Sequence, residues 1–178
     1  MIIKTSFTKA VAASMVILIG SVMGAAGATF MVTNTNDSGA GSLRAAITQA
    51  NANAEADTIN FSEPFFSVAR KITLASEIQI TADGTNPGKA VKINGPGASL
   101  LTISGNNVCR PFYTAPNSTV VMSAMTIRDG NGVGTVINLE GRSGGAILVH
   151  SQTDLTLTNV TVRNNTVANS GGGIYLNG

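Results

Sequence analysis

The chain has no tryptophan, one cysteine, one histidine and only 4% aromatic residues. A lone cysteine excludes a disulfide within the chain, so a protein that leaves the cytoplasm must hold its fold together by other means. Cys/His metal sites need several such ligands at close spacing, and neither Cys109 nor His150 has a sequence neighbour that supplies it. No metal or cofactor is therefore expected. Cys109, within NNVCRPF, lacks the partners of a reactive thiol and reads as a small buried apolar residue. His150 follows a short apolar strand and reads as a surface residue.

Charge is scarce as well: Asp, Glu, Lys and Arg together make up 11% of the chain. The first segment, MIIKTSFTKAVAASMVILIGSVMGAAGATF, carries Lys4 and Lys9, an apolar run from Ala10 to Met23 and small residues up to Ala28. That order is the pattern of a secretory signal peptide, expected over residues 1–28. Ser14, Gly20 and Ser21 interrupt the apolar run, whereas a membrane span needs about 20 predominantly apolar residues. No stable span is expected once the signal is removed. Without its two lysines the chain has nine basic and nine acidic residues, a balance that gives no electrostatic support for a nucleic-acid or acidic-membrane partner.

Glycine, asparagine, threonine, serine, valine and isoleucine dominate what remains. Thr, Val and Ile suit pleated strands, while Gly and Asn suit turns that need positive φ. The expected body is short strands joined by tight turns.

Those strands repeat. VVMSAMTIRDGN, from Val120, aligns with LTLTNVTVRNNT, from Leu155, at an offset of 35 residues. Val120 and Met122 match Leu155 and Leu157, and Met125 and Ile127 match Val160 and Val162. Both copies break the two-residue alternation once, at Ala124 and at Asn159. A one-residue slip turns every later side chain to the opposite face, so a repeated slip needs a geometric cause. A chain coiling about an axis supplies one, because an extra residue at each corner keeps the apolar side chains inward. Asn159 is therefore expected at a corner between two short parallel strands, with Asn164 or Asn165 at the next. LTISGN, from Leu101, echoes the second half of the pattern. SGGAILV, from Ser143, recurs as SGGGIYL, from Ser170, at an offset of 27. The difference between offsets places an insertion within GNGVGTVINLEG. Gly144, Gly145, Gly171, Gly172 and Gly173 are expected at tight bends where neighbouring coils approach closely. A planar sandwich explains neither repeat, and a β-helix explains both.

The entry segment differs. TFMVTNTNDSGAGSLRAAITQANANAEADTINF reads as strand, turn, helix and strand. Ser42 is placed to cap a helix whose Leu43, Ala46, Ile47 and Ala50 form one apolar face, and Ile59 and Phe61 point inward from the strand that follows. Such a helix would cover the first coil, whose strand edge and apolar cross-section otherwise invite aggregation. Arg44 is expected either to pair with Asp57 within this cap or to remain a solvated charge.

SLRAAITQAN followed by DTINF resembles the SLREA-type entry motif of bacterial secreted and surface proteins built on right-handed parallel β-helices. Gly41 stands where that family usually has Cys, and Ala45 where it has Glu. SGGAI, SGGGI and VRNNT are similar to the GGA(I/L/V) and FxxN repeats of polymorphic outer-membrane proteins, with Val162 in the place of Phe. The resemblance implies a pectin-lyase-like solenoid at the cell surface or outside the cell, an adhesive role and no characteristic catalytic residues.

An enzyme of the same architecture, a polysaccharide lyase or hydrolase, is the rival. Hydrolysis needs carboxylates converging across a cleft, and calcium-assisted elimination needs clustered acidic oxygens and a base. After Asp83 the acids are Asp129, Glu140 and Asp154, and no two occupy equivalent repeat positions. Arg128 and Arg163 do, and stacked coils would set them about 4.8 Å apart, either as a basic ladder facing an anionic ligand or as two solvated side chains. The sequence therefore predicts an all-β, right-handed parallel β-helix, with a strand/helix cap over 29–70 and coils over 71–178. Its expected role is non-enzymatic adhesion or structure at the surface, through a glycan or a surface protein. Because Ile174 to Leu176 starts a strand just before the chain ends, an N-terminal piece of a longer protein is expected, with further coils as its neighbours.

Overall fold

A computed structural model describes residues 27–52, 54–81, 89–134 and 142–177. The expected signal segment lies outside them except for Gly27 and Ala28, and so does residue 178. Over the described residues the protein is a parallel β-helix of about four turns with one short α-helix. Strand β1 (Thr29–Val32) and helix α1 (Leu43–Ala52) precede the first full coil. That coil comprises β2 (Asp57–Phe61), β3 (Arg70–Thr73) and β4 (Ile78–Ile80). The second comprises β5 (Ala90–Asn94), β6 (Leu101–Ser104) and β7 (Phe112–Thr114). In the third and fourth, the first two sides merge into one bent strand: β8 (Thr119–Arg128) with β9 (Ile147–Val149), then β10 (Asp154–Arg163) with β11 (Ile174–Leu176).

Every inter-strand pairing is parallel. The repeat alignment read from the sequence is the register observed, with Val120 on Leu155, Met122 on Leu157, Met125 on Val160 and Ile127 on Val162. Ile147 likewise pairs with Ile174, as the glycine repeat requires. The expected corner is real: Ala124 and Asn159 take φ of 53° and 54°, as do Asp129 and Asn164 at 55° and 54°. Asn164, rather than Asn165, is thus the second corner. The insertion falls between β8 and β9, where residues 135–141 lie outside the description.

Inward residues stack in columns along the axis. One runs Phe30, Ile59, Ile93, Met122, Leu157, and another Ile72, Ile103, Ile127, Val162. A third runs Ile78, Phe112, Ile147, Ile174. Each buried Ile, Phe or Met contributes about 1.5–3 kcal/mol relative to exposure, so the columns supply the cohesion that no disulfide provides. Leu43, Ala46, Ile47 and Ala50 of α1 are all buried, as the spacing predicted. Ser42 caps the helix, its Oγ accepting from the Ala45 amide at 3.1 Å.

The cap corrects one expectation. Arg44 pairs with Asp37, not Asp57, at 2.7 Å, and also donates to the carbonyls of Ser76 and Glu77. It is therefore not a solvated charge either. Asp57 points inward below Val91 and accepts from the Ala28 amide at 2.8 Å. Its position on the inward side of β2 takes it away from the outer surface where Arg44 works.

Candidate functional site

The stacked first sides of the coils, β2, β5 and the leading halves of β8 and β10, turn alternate residues outward to form one flat face. Because the strands are parallel and in register, outward residues form rows along the axis. One row is Thr58, Lys92, Val121, Thr156, and the next is Asn60, Asn94, Ser123, Thr158. Neighbours in a row are separated by about 4.8 Å. The second row is hydrogen-bonded to itself: Asn94 Nδ2 donates to Asn60 Oδ1 at 3.1 Å, and Ser123 Oγ to Asn94 Oδ1 at 3.5 Å. These contacts orient the two amides and the Ser123 hydroxyl while leaving further donors and acceptors at the surface. The repeats read from the sequence do not disclose this row. Its members are 34 and 29 residues apart, so no constant offset reveals them.

The second sides carry Arg128 and Arg163, which are register partners as the repeat predicted. They do not form a free cationic ladder. Arg128 Nε lies 2.8 Å from Asp129 Oδ2, and that carboxylate also accepts from Ser104 Oγ at 2.9 Å. Arg163 is exposed. One neutralised and one solvated arginine make a weak electrostatic site for an anion, since exposed charges interact through a high dielectric.

The corner and glycine positions are architectural. Asn165 Oδ1 accepts from the Gly130 amide at 2.8 Å, tying the fourth coil to the third. Gly144 and Gly171 take φ of 63° and 67°. Gly145 packs so closely on the Gly172 carbonyl that a Cβ there would overlap it. Gly173 accepts from the amides of Ala146 and Ile147.

A buried ion pair was not foreseen. Arg110 Nε lies 2.5 Å from Glu77 Oε2, both side chains being essentially inaccessible, and Arg110 Nη1 donates to the Ser143 carbonyl. The pair sits beside a shallow pocket lined by Ala75, Ser76, Val108, Cys109, Val133 and Gly134. Burial pushes the Cys109 thiol up to about 11, the opposite of what a nucleophilic thiol needs. His150 is half-buried rather than fully at the surface, packed edge-on against Tyr113 with Nδ1 accepting from the Ser151 amide at 2.8 Å. Among the described residues, no three His, Cys, Asp or Glu side chains gather as metal ligands, and no helix is long and apolar enough to cross a membrane.

Comparison with protein-family models, curated proteins and solved structures finds no match for this chain.

Proposed function

We propose that the protein is an exported, non-enzymatic β-helix that works at the cell surface or outside the cell, using its flat outer face to hold a glycan. The observation that carries the proposal is the hydrogen-bonded row Asn60, Asn94, Ser123, flanked by Thr58, Lys92 and Thr156. Preorganised amides and hydroxyls at a regular spacing suit a ligand that presents hydroxyls repeatedly, because little side-chain ordering remains to oppose binding. The polar groups are neutral apart from Lys92, which favours a neutral or weakly acidic polysaccharide over a strongly anionic one. The leader-like N-terminal segment supports export, and Asp37, Glu77 and Asp129 are each paired with an arginine of their own.

Retention of the full chain on immobilised polysaccharides tests this reading. Binding is expected to fall several-fold in Asn94→Ala and in Lys92→Ala, with the circular dichroism spectrum unchanged. Retention indifferent to both changes would remove the outer face from consideration. Release of reducing ends or unsaturated products from pectin or alginate, abolished by Asp129→Ala or Arg128→Ala, would instead establish the enzyme.

A further inference from the structure

Among the described residues, glycine follows Asn or Asp at three places: Asn94-Gly95, Asp129-Gly130 and Asn131-Gly132. Asparagine is a thermolabile residue, and a glycine after it leaves the attacking main-chain nitrogen unhindered by a side chain. Whether that nitrogen is free to attack depends on the fold. The Gly95 amide donates to the Ser123 carbonyl at 2.8 Å, and the Gly130 amide to Asn165 Oδ1 at 2.8 Å. Asn94 is also held on both sides, by Asn60 and by Ser123. The Gly132 amide has no acceptor among the described residues.

The Asn131 side chain is meanwhile poised over that amide. Its Oδ1 accepts from the Val133 amide at 3.0 Å, an Asx turn that folds the side chain across the Gly132 peptide. A donor at this oxygen stabilises the negative charge that grows there when Cγ is attacked, as in an oxyanion hole. Nδ2 donates to the Asn107 carbonyl at 2.8 Å. Gly132 packs against Val167 of the fourth coil, but both side-chain contacts of Asn131 are exposed, so water reaches the reacting carbon.

We propose that Asn131-Gly132 is a site of spontaneous deamidation, singled out by the fold from the same dipeptide at Asn94-Gly95. The Gly132 nitrogen gives its proton to solvent and bonds to Asn131 Cγ. The bond from Cγ to Nδ2 breaks, and the amide nitrogen takes up a proton and leaves as ammonia. Water then opens the succinimide at either carbonyl, giving aspartate or isoaspartate. The net change is uptake of one water and loss of one ammonia, with no oxidation or reduction. Either product carries a carboxylate where an amide stood, and a carboxylate cannot donate to the Asn107 carbonyl. That bond ties the third coil to the second across 24 residues, so the reaction removes the tie and adds a negative charge beside it. The isoaspartyl product also lengthens the main chain next to Val133, whose carbonyl accepts from the Arg110 amide at 2.6 Å.

The full chain, aged at mildly alkaline pH with and without urea and then mapped by peptide mass spectrometry, tests the proposal. In the native chain Asn131 is expected to convert about ten-fold or more faster than Asn94, because attack at Asn94 must first break the bond from Gly95 to Ser123. In urea neither amide is held, and the two rates should converge. Isoaspartyl methyltransferase should label the aged native chain in the Asn131 peptide. A native chain in which Asn131 keeps its amide while the unfolded chain loses it overturns the proposal. Equal conversion of Asn94 and Asn131 in the native chain overturns it too. So does a preference for Asn131 that survives unchanged in urea, which would assign the selectivity to the neighbouring sequence and not to the fold.

Discussion

Ala124 stacks beneath Asn159 at the same corner of successive coils, with φ of 53° and 54°; Ser123 pairs with Thr158 on one side and Met125 with Val160 on the other. The two residues hold identical backbone at different cost. Left-handed backbone is unfavourable for a residue with an ordinary Cβ, by roughly 1–2 kcal/mol, and is much less so for Asn. Ala124→Asn is therefore expected to stabilise the fold by about 0.5–1 kcal/mol, and Asn159→Ala to destabilise it by a similar amount. Urea midpoints of the two variants check this. If both changes lower the midpoint, corner strain is not what distinguishes the two positions.

The Glu77–Arg110 pair joins the first and second coils where neither side chain meets water. Removing one member leaves an uncompensated buried charge, which costs about 3–5 kcal/mol, while replacing both with apolar groups of similar size is far less damaging. Glu77→Leu should lower stability by that amount, and Glu77→Leu/Arg110→Met should recover at least half of the loss. Chemical denaturation of the set gives the coupling. Additive losses would show that the pair acts as two separate hydrogen-bonding groups, Arg110 through Ser143 and Glu77 through its other contacts.

The Cys109 thiol offers a test of the same region by pH. Desolvation raises its pKa from 9.0 to about 11, and Glu77 and Asp37 push in the same direction against Arg44. In the unfolded chain the thiol ionises near its ordinary value, while the native state still holds the proton. The unfolded state therefore binds fewer protons between those two values, and stability falls as pH rises through that window. The contribution is complete below pH 9.0 and is lost by about pH 11. Cys109→Ala should flatten the stability profile across that range, and native Cys109 should resist alkylation at pH 8 until denaturant is added. Rapid labelling of the native protein at that pH would show that the thiol is accessible and ionised.

The sequence disclosed what is periodic and concealed what is not. The three-residue step at Ala124 and Asn159 revealed the corners, because parity is a local property that inward packing enforces in every coil. The offsets of 35 and 27 revealed register, because the strands on either side of the insertion are the same length. The cap helix was legible from Leu43, Ala46, Ile47 and Ala50, whose spacing matches one helical face. The Asn60, Asn94, Ser123 row was not, since the early coils differ in length and their equivalent positions have no common spacing. Arg44 found Asp37 because the turn before α1 folds back on the helix, a proximity that depends on loop geometry. Glu77 and Arg110 lie 33 residues apart in segments that do not resemble one another, and nothing in composition marks either as buried.

The glycine repeat makes a prediction that similarity alone would miss. Gly145 and Gly172 occupy equivalent places in SGGAI and SGGGI, yet their surroundings differ. A Cβ on Gly145 would overlap the Gly172 carbonyl and lie 2.8 Å from the Thr166 oxygen, and both obstacles are backbone that cannot swing away. A Cβ on Gly172 meets only the Asn165 carbonyl at 3.7 Å, an ordinary contact. Gly145→Ala must therefore push the fourth coil away from the third, at a cost of about 1–3 kcal/mol typical of overpacking. Gly172→Ala should stay within about 0.5 kcal/mol of wild type, in the range of substitutions that disturb no packing. Thermal or urea unfolding of the two variants measures the difference. Equal losses would mean that the glycines serve backbone conformation and not the close approach of coils. A loss confined to Gly145 assigns the repeated glycine to contact with the coil above it.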